Sequence, residues 1–161
     1  MGRFSFISTR TVLCICMLLA AVFGCLAGCN ANEMLLSVMR MALESPVSIV
    51  CLFVQLFLPF LLSIFAVTTG RVILLALIAG LKMFSFSFCL TCVFLMIQTR
   101  ESPNYLFLMF QDICLMPLLS WFWLKTSSCC NPGLLQSVLV SVVIILGIIF
   151  VDYLCISPLL V

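Results

Sequence analysis

From Thr11 to Cys29 no residue carries a charge, and four more long apolar stretches follow it along the chain. This feature constrains the fold most, because about 20 consecutive apolar residues in a helix match the ~30 Å hydrocarbon thickness of a bilayer. The later stretches are Val47–Val67, which stops at Thr68-Thr69-Gly70-Arg71, then Val72–Gln98, Tyr105–Leu124 before Lys125, and Leu134 to about Ile156. Of the 161 residues, 66% are apolar and 7% are charged, whereas a soluble domain carries about a quarter charged residues to coat its surface. The expected fold is therefore all-α: one polytopic transmembrane bundle over residues 1–161, with about five spans.

The same composition excludes several function classes. Net charge is +2 with no basic run, so there is no nucleic-acid footprint. Histidine is absent, which removes the commonest general base and the commonest zinc ligand. Of the eleven cysteines, Cys14, Cys16, Cys25, Cys51, Cys89, Cys92, Cys114 and Cys155 lie inside apolar runs, where a thiol behaves as a small hydrophobe. Cys89-Leu90-Thr91-Cys92 has redox or metal spacing, but a thiolate in mid-span would bury a charge with no histidine partner. Packing is the reading for that pair. Cys129 and Cys130, in a Ser-Ser-Cys-Cys-Asn-Pro loop, fit palmitoylation and plain reduced thiols equally. No metal, cofactor or catalytic residue is expected, and the chain does not read as an enzyme.

Orientation follows from basic residues in short loops. With the N-terminus cytoplasmic, Arg3, Arg10, Arg71 and Lys125 fall inside, while Arg40 and Arg100 fall outside with Glu33, Glu44 and Glu101. Trp121 and Trp123 before Lys125, and Tyr105 and Tyr153 at the other boundary, read as interfacial aromatic belts. The C-terminus is then extracytoplasmic.

Val72–Gln98 is long for one span: as a straight helix it would measure about 40 Å and need a tilt of roughly 40°. A break near Gly80 is expected instead, giving a short re-entrant piece and a span from Met83 to Gln98. Between the first two spans, Glu33, Ser37, Arg40 and Glu44 fall on one helical stripe, with Met34, Leu35, Val38, Met41 and Ala42 largely covering the other side. Asn30 with Glu33 resembles a capping box and Pro46 marks a stop. This predicts an amphipathic helix over about 31–44 on the outer leaflet, or else an extension of the second span.

Leu26-Ala27-Gly28-Cys29 matches a lipoprotein cleavage site, which would leave a lipidated Cys29. The other reading is an uncleaved helix whose small residues permit close packing, and this is the expectation.

The intramembrane ionisable residues carry the sharper question. Asp112 is expected near mid-depth, where a carboxylate costs roughly 2.5–3.5 kcal/mol. Lys82 reaches it only if Val72–Gln98 is one continuous helix; with a break at Gly80, Lys82 snorkels to the cytoplasmic face. Gln111 and Gln55 are available as polar partners. Pro59 should free the carbonyl of Gln55, and Pro117 that of Ile113. Polar contacts between helices are the plainer reading and an ion pathway the sharper one. Asp152, near the end of the last span, is expected at the interface.

Four segments resemble the stage II sporulation protein M family of Gram-positive spore formers. They are Ala21-Val22-Phe23-Gly24, the glycine-containing Leu77-Ile78-Ala79-Gly80-Leu81, the segment Phe110-Gln111-Asp112-Ile113-Cys114-Leu115-Met116-Pro117, and the closing Val151-Asp152-Tyr153-Leu154-Cys155-Ile156-Ser157-Pro158. The resemblance implies retention of the first helix and a scaffolding role in the bacterial cytoplasmic membrane. That role is the anchoring of a cell-wall remodelling machine during engulfment in sporulation, beside peptidoglycan-degrading proteins. On that basis the partners expected are membrane lipids and membrane-anchored cell-wall hydrolysis proteins. Glu33, Ser37, Arg40 and Glu44 would form a docking helix and the Thr99–Asn104 loop a second docking surface, with Asp152 and Pro158 fixing the C-terminal end. The competing expectation is a small transporter or channel subunit that uses a broken helix at Gly80 and the acid Asp112.

Overall fold

The computed structural model describes residues 9–44, 49–98, 109–126, 133–151 and 154. These form six helices: α1 (Thr9–Cys29), α2 (Glu33–Glu44), α3 (Ile49–Thr68), α4 (Val72–Gln98), α5 (Phe110–Thr126) and α6 (Leu134–Val151). Among the described residues there is no strand. The all-helical expectation holds, and α1, α4 and α6 are each long and apolar enough to cross a membrane. Their outward faces carry large apolar side chains such as Leu18, Ile73, Val143 and Phe150, as suits a membrane protein whose solvent on those faces is lipid.

α4 is the central element. It has its most extensive contact with α1 and also touches α3 and α5, while α6 packs on α5 and α3. α1 and α4 run parallel, because Ala20 faces Gly80, Gly24 faces Phe84 and Ser87, and Gly28 faces Phe88 and Thr91. α3 and α4 form a tight antiparallel hairpin. Gly70 adopts φ 65°, and the Arg71 amide donates to the Ala66 carbonyl while the Gly70 amide donates to that of Val67. That paired arrangement closes a helix C-terminus and favours glycine at the left-handed position.

Two apolar clusters follow from this layout. The larger one joins Leu13, Leu56, Phe60, Leu75, Ala79, Leu119, Phe122, Trp123 and Ile145 from five helices. The smaller sits at the C-terminal half of α4, where Cys92, Val93 and Met96 meet Met109, with Leu36 and Met39 of α2 packed against them. Cys92 is thus a buried packing residue.

Three expectations are corrected here. α4 is continuous through Gly80, so the expected break is not there. A glycine inside a helix costs only about 1 kcal/mol relative to alanine, and the buried Leu75 and Ala79 just before it hold that stretch against the core. Asn30 does not cap α2: its Nδ2 donates to the Leu26 carbonyl at 2.8 Å and finishes α1. The cap is Asn32, whose Oδ1 accepts from the Leu35 amide at 2.9 Å, the third residue of the helix, as capping geometry requires. Finally, the helix expected from Tyr105 begins at Phe110; residues 105–108 lie outside the described residues. Asp112 therefore occupies the first turn of α5.

Candidate functional site

Continuity of α4 brings Lys82 to Asp112. Lys82 Nζ donates to Asp112 Oδ1 at 2.7 Å, a charge-assisted bond of the short, strong kind. The two side chains are 14% and 17% exposed. Asp112 gains further from its place in the first turn of α5, where the helix dipole favours negative charge. Removing both ions from water is costly, and their mutual attraction offsets that cost only when the geometry is close, as here. The pair links α4 to α5.

The other sequence-selected residues scatter. Gln111 is buried, and its Oε1 has no hydrogen-bond partner among the described residues. Gln55 lies exposed on α3 and so does not serve Asp112. Gly80 faces Ala20 with room for a Cβ at ordinary contact distance, and Pro117 is exposed within α5. Asp152 and Pro158 lie outside the described residues, as do Cys129, Cys130 and the Thr99–Asn104 loop.

On α2, Glu33 and Ser37 are exposed but Arg40 is half-buried, on the side that carries Leu36 and Met39. Glu44 ends the helix, and its side chain is outside the described residues. The expected single polar stripe is thus split: Arg40 turns inward. Met34, Val38 and Met41 are 76%, 50% and 65% exposed, leaving an apolar face away from the protein. That face suits a helix lying at a bilayer surface.

Two further contacts join the helices, and the first was not anticipated. Trp123 is fully buried between the helices instead of facing outward. Its Nε1 donates to Ser63 Oγ at 2.7 Å, and Ser63 Oγ donates to the Pro59 carbonyl at 2.6 Å. Beside it, Phe60 and Phe122 meet at 5.0 Å between ring centroids. Trp121 does face outward, with Lys125 Nζ 4.7 Å from its ring centroid. Replacing Ser63 with alanine is expected to cost about 1–3 kcal/mol, because the buried indole N–H loses its acceptor. Replacing both Ser63 with alanine and Trp123 with phenylalanine should cost less than the sum of the single changes. Denaturation of the detergent-solubilised protein checks both values.

The second contact is the α1–α4 seam. A Cβ on Gly24 would overlap Ser87 Oγ and lie 2.5 Å from the Phe84 carbonyl oxygen; one on Gly28 would lie 2.7 Å from Thr91 Cβ. Ser87 and Thr91 turn their hydroxyls back to α4 carbonyls, at 2.9 Å to Met83 and 2.8 Å to Ser87. Small residues four apart are a known helix-packing signal. Gly24 and Gly28 carried it in the sequence, and it accounts for the small residues of the lipoprotein-like segment.

These contacts join helices to each other; none presents a nucleophile beside a base. Comparison with protein-family models, with curated proteins and with solved structures finds no match for this chain.

Proposed function

We propose that this chain is a non-enzymatic, multi-pass membrane scaffold that holds partner proteins at the bacterial cytoplasmic membrane. The observation that carries the reading is the closed Lys82–Asp112 pair. The cation and the acid satisfy each other within one chain, so they act as a link between helices and leave no uncompensated charge there for a transported ion. The Trp123–Ser63 bond has the same character.

In this reading α3 and α5 cross the bilayer with α1, α4 and α6, giving five spans with the N-terminus cytoplasmic and the C-terminus outside. Arg10 in the first turn of α1, Arg71 between α3 and α4, and Lys125 in the last turn of α5 fit the positive-inside pattern. Parallel α1 and α4 bring Cys29 and Gln98 to the other end, where α2 packs. α2 would rest there on the outer leaflet by Met34, Val38 and Met41, and offer Glu33 and Ser37 to a partner. The short-motif resemblance to stage II sporulation protein M makes peptidoglycan-remodelling proteins of sporulation the partners to seek first.

The competing reading, a small transporter or channel subunit, drew on a broken helix at Gly80. With α4 continuous it rests on Asp112 alone. The test is affinity capture of the tagged chain from mild detergent with mass spectrometry, alongside ion flux in proteoliposomes. Co-purified cell-wall hydrolases, retained by a Lys82→Met/Asp112→Leu double variant, are the expected result. Capture of the chain alone, with an ion flux that the double variant abolishes, would replace the scaffold with a carrier.

A further inference from the structure

Gln55 stands where a spanning helix has no evident use for an amide. It is exposed on α3, about 9 Å along the axis from Ile49 at ~1.5 Å per residue. No hydrogen bond to its side chain is formed among the described residues. Polar side chains at such depth normally face protein.

The side chains in line with it form a pattern. Leu58, Leu62 and Phe65 are 50%, 43% and 56% exposed, and Thr69 is exposed beyond them. With Gln55 they are spaced alternately three and four residues apart, the seam of a left-handed helix pair. The bundle of this chain uses the other side of α3, through Leu56, Phe60 and Ser63. Pro59 lies beside the seam and has no N–H to return to the Gln55 carbonyl.

We propose that this seam is the interface of a parallel two-fold dimer of the chain, in which the Gln55 side chains hydrogen-bond to each other. The argument for a second copy is one of symmetry. Two copies inserted in the same sense hold their α3 helices parallel, and a two-fold axis along the bilayer normal brings each seam residue against its own equivalent. A carboxamide is both donor and acceptor, so it is complementary to itself, whereas a lysine or aspartate at that position would repel its twin. Thr69 satisfies its hydroxyl on its own helix, at the Phe65 carbonyl, so Gln55 is the one seam residue whose side chain seeks a partner across the seam; it also fixes register, since any slip leaves both amides in hydrocarbon. This inference goes beyond the scaffold role and rests on the proposed topology for one point, that α3 crosses the membrane.

The experiment measures energy transfer between donor- and acceptor-labelled copies of the full chain in phosphatidylcholine vesicles, diluted with unlabelled protein. The wild type should show transfer that unlabelled wild type competes away. Gln55→Leu should weaken association about tenfold, Gln55→Asn should keep most of it, and Val143→Ala, on the exposed face of α6, should leave it unchanged. Helical content by circular dichroism confirms that each variant is folded. A wild type that is inserted but monomeric overturns the dimer and leaves the membrane reading intact, as does a Gln55→Leu variant that associates as well as the wild type. Protein that extracts from membranes as a peripheral component overturns both.

Discussion

A valine at position 24 is expected to separate α1 from α4. Gly24 sits where even a single added carbon would overlap Ser87 Oγ and come within 2.5 Å of the Phe84 carbonyl oxygen. Backbone cannot yield as the tip of a flexible side chain does, so the helices must move apart along their most extensive contact. Overpacking in a core costs typically 1–3 kcal/mol, and a clash with backbone belongs at the upper end, about 3 kcal/mol. The folded-to-unfolded ratio at a given denaturant concentration should then fall by roughly two orders of magnitude. Gly28→Val should act in the same direction, since Thr91 Cβ and the Phe88 carbonyl face it. Gly80→Ala is the matched control: its Cβ would meet Ala20 Cβ at 3.9 Å, and alanine gains about 1 kcal/mol of helix propensity. Unfolding in mixed micelles followed by circular dichroism would rank the three. A Gly24→Val protein as stable as the wild type would refute the close α1–α4 approach.

Removal of one partner of the ion pair is the second large effect. Asp112→Asn leaves the Lys82 ammonium largely buried and facing an amide, and breaking a buried pair in this way costs about 3–5 kcal/mol. At 14% and 17% exposure the pair is not wholly dry, so the lower end, about 3 kcal/mol, is expected. Lys82→Met should be damaging by a similar amount. The double variant Lys82→Met/Asp112→Leu should regain most of the loss, because an apolar pair of similar volume often equals a buried ion pair. A double-mutant cycle on thermal unfolding measures the coupling; strictly additive single changes would mean that the two residues do not interact.

Much of the fold was legible in the sequence because hydrophobic runs need no partner to be recognised. Thr11–Cys29 and Val72–Gln98 became α1 and α4 within two residues at either end, since a helix in hydrocarbon satisfies its own backbone. The break at Gly80 was the main misreading. It came from a length argument about one isolated helix, which omitted the neighbours that hold α4 along its length. The position of Trp123 before Lys125 does not tell which way it faces: it turns inward to Ser63, sixty residues earlier in the chain. A helix has many azimuths for one depth, and sequence position sets the depth alone.

The candidate site divides in the same way. Lys82 and Asp112 were both singled out as charges in apolar surroundings, which is a local property. Their pairing was not local: it needed an unbroken α4 and an α5 that begins at Phe110, so that the first-turn acid meets the mid-helix cation. Arg40 shows the converse, since it shares a polar stripe with Glu33 and Ser37 in the helical pattern but packs toward Leu36 and Met39 once α2 meets α4.

By itself the sequence determined that this chain is helical, apolar enough for a bilayer, and poor in the groups that do chemistry. Those are sums over composition and periodicity, each residue contributing without reference to distant ones. Only the tertiary structure decided which helix each face meets. It set Gly24 against Ser87, Lys82 against Asp112 and Trp123 against Ser63, and it left Gln55 exposed. In hydrocarbon the hydrophobic effect does not choose between apolar neighbours, so close packing and a few polar contacts make that choice, and both depend on the relative rotation of helices far apart in the chain.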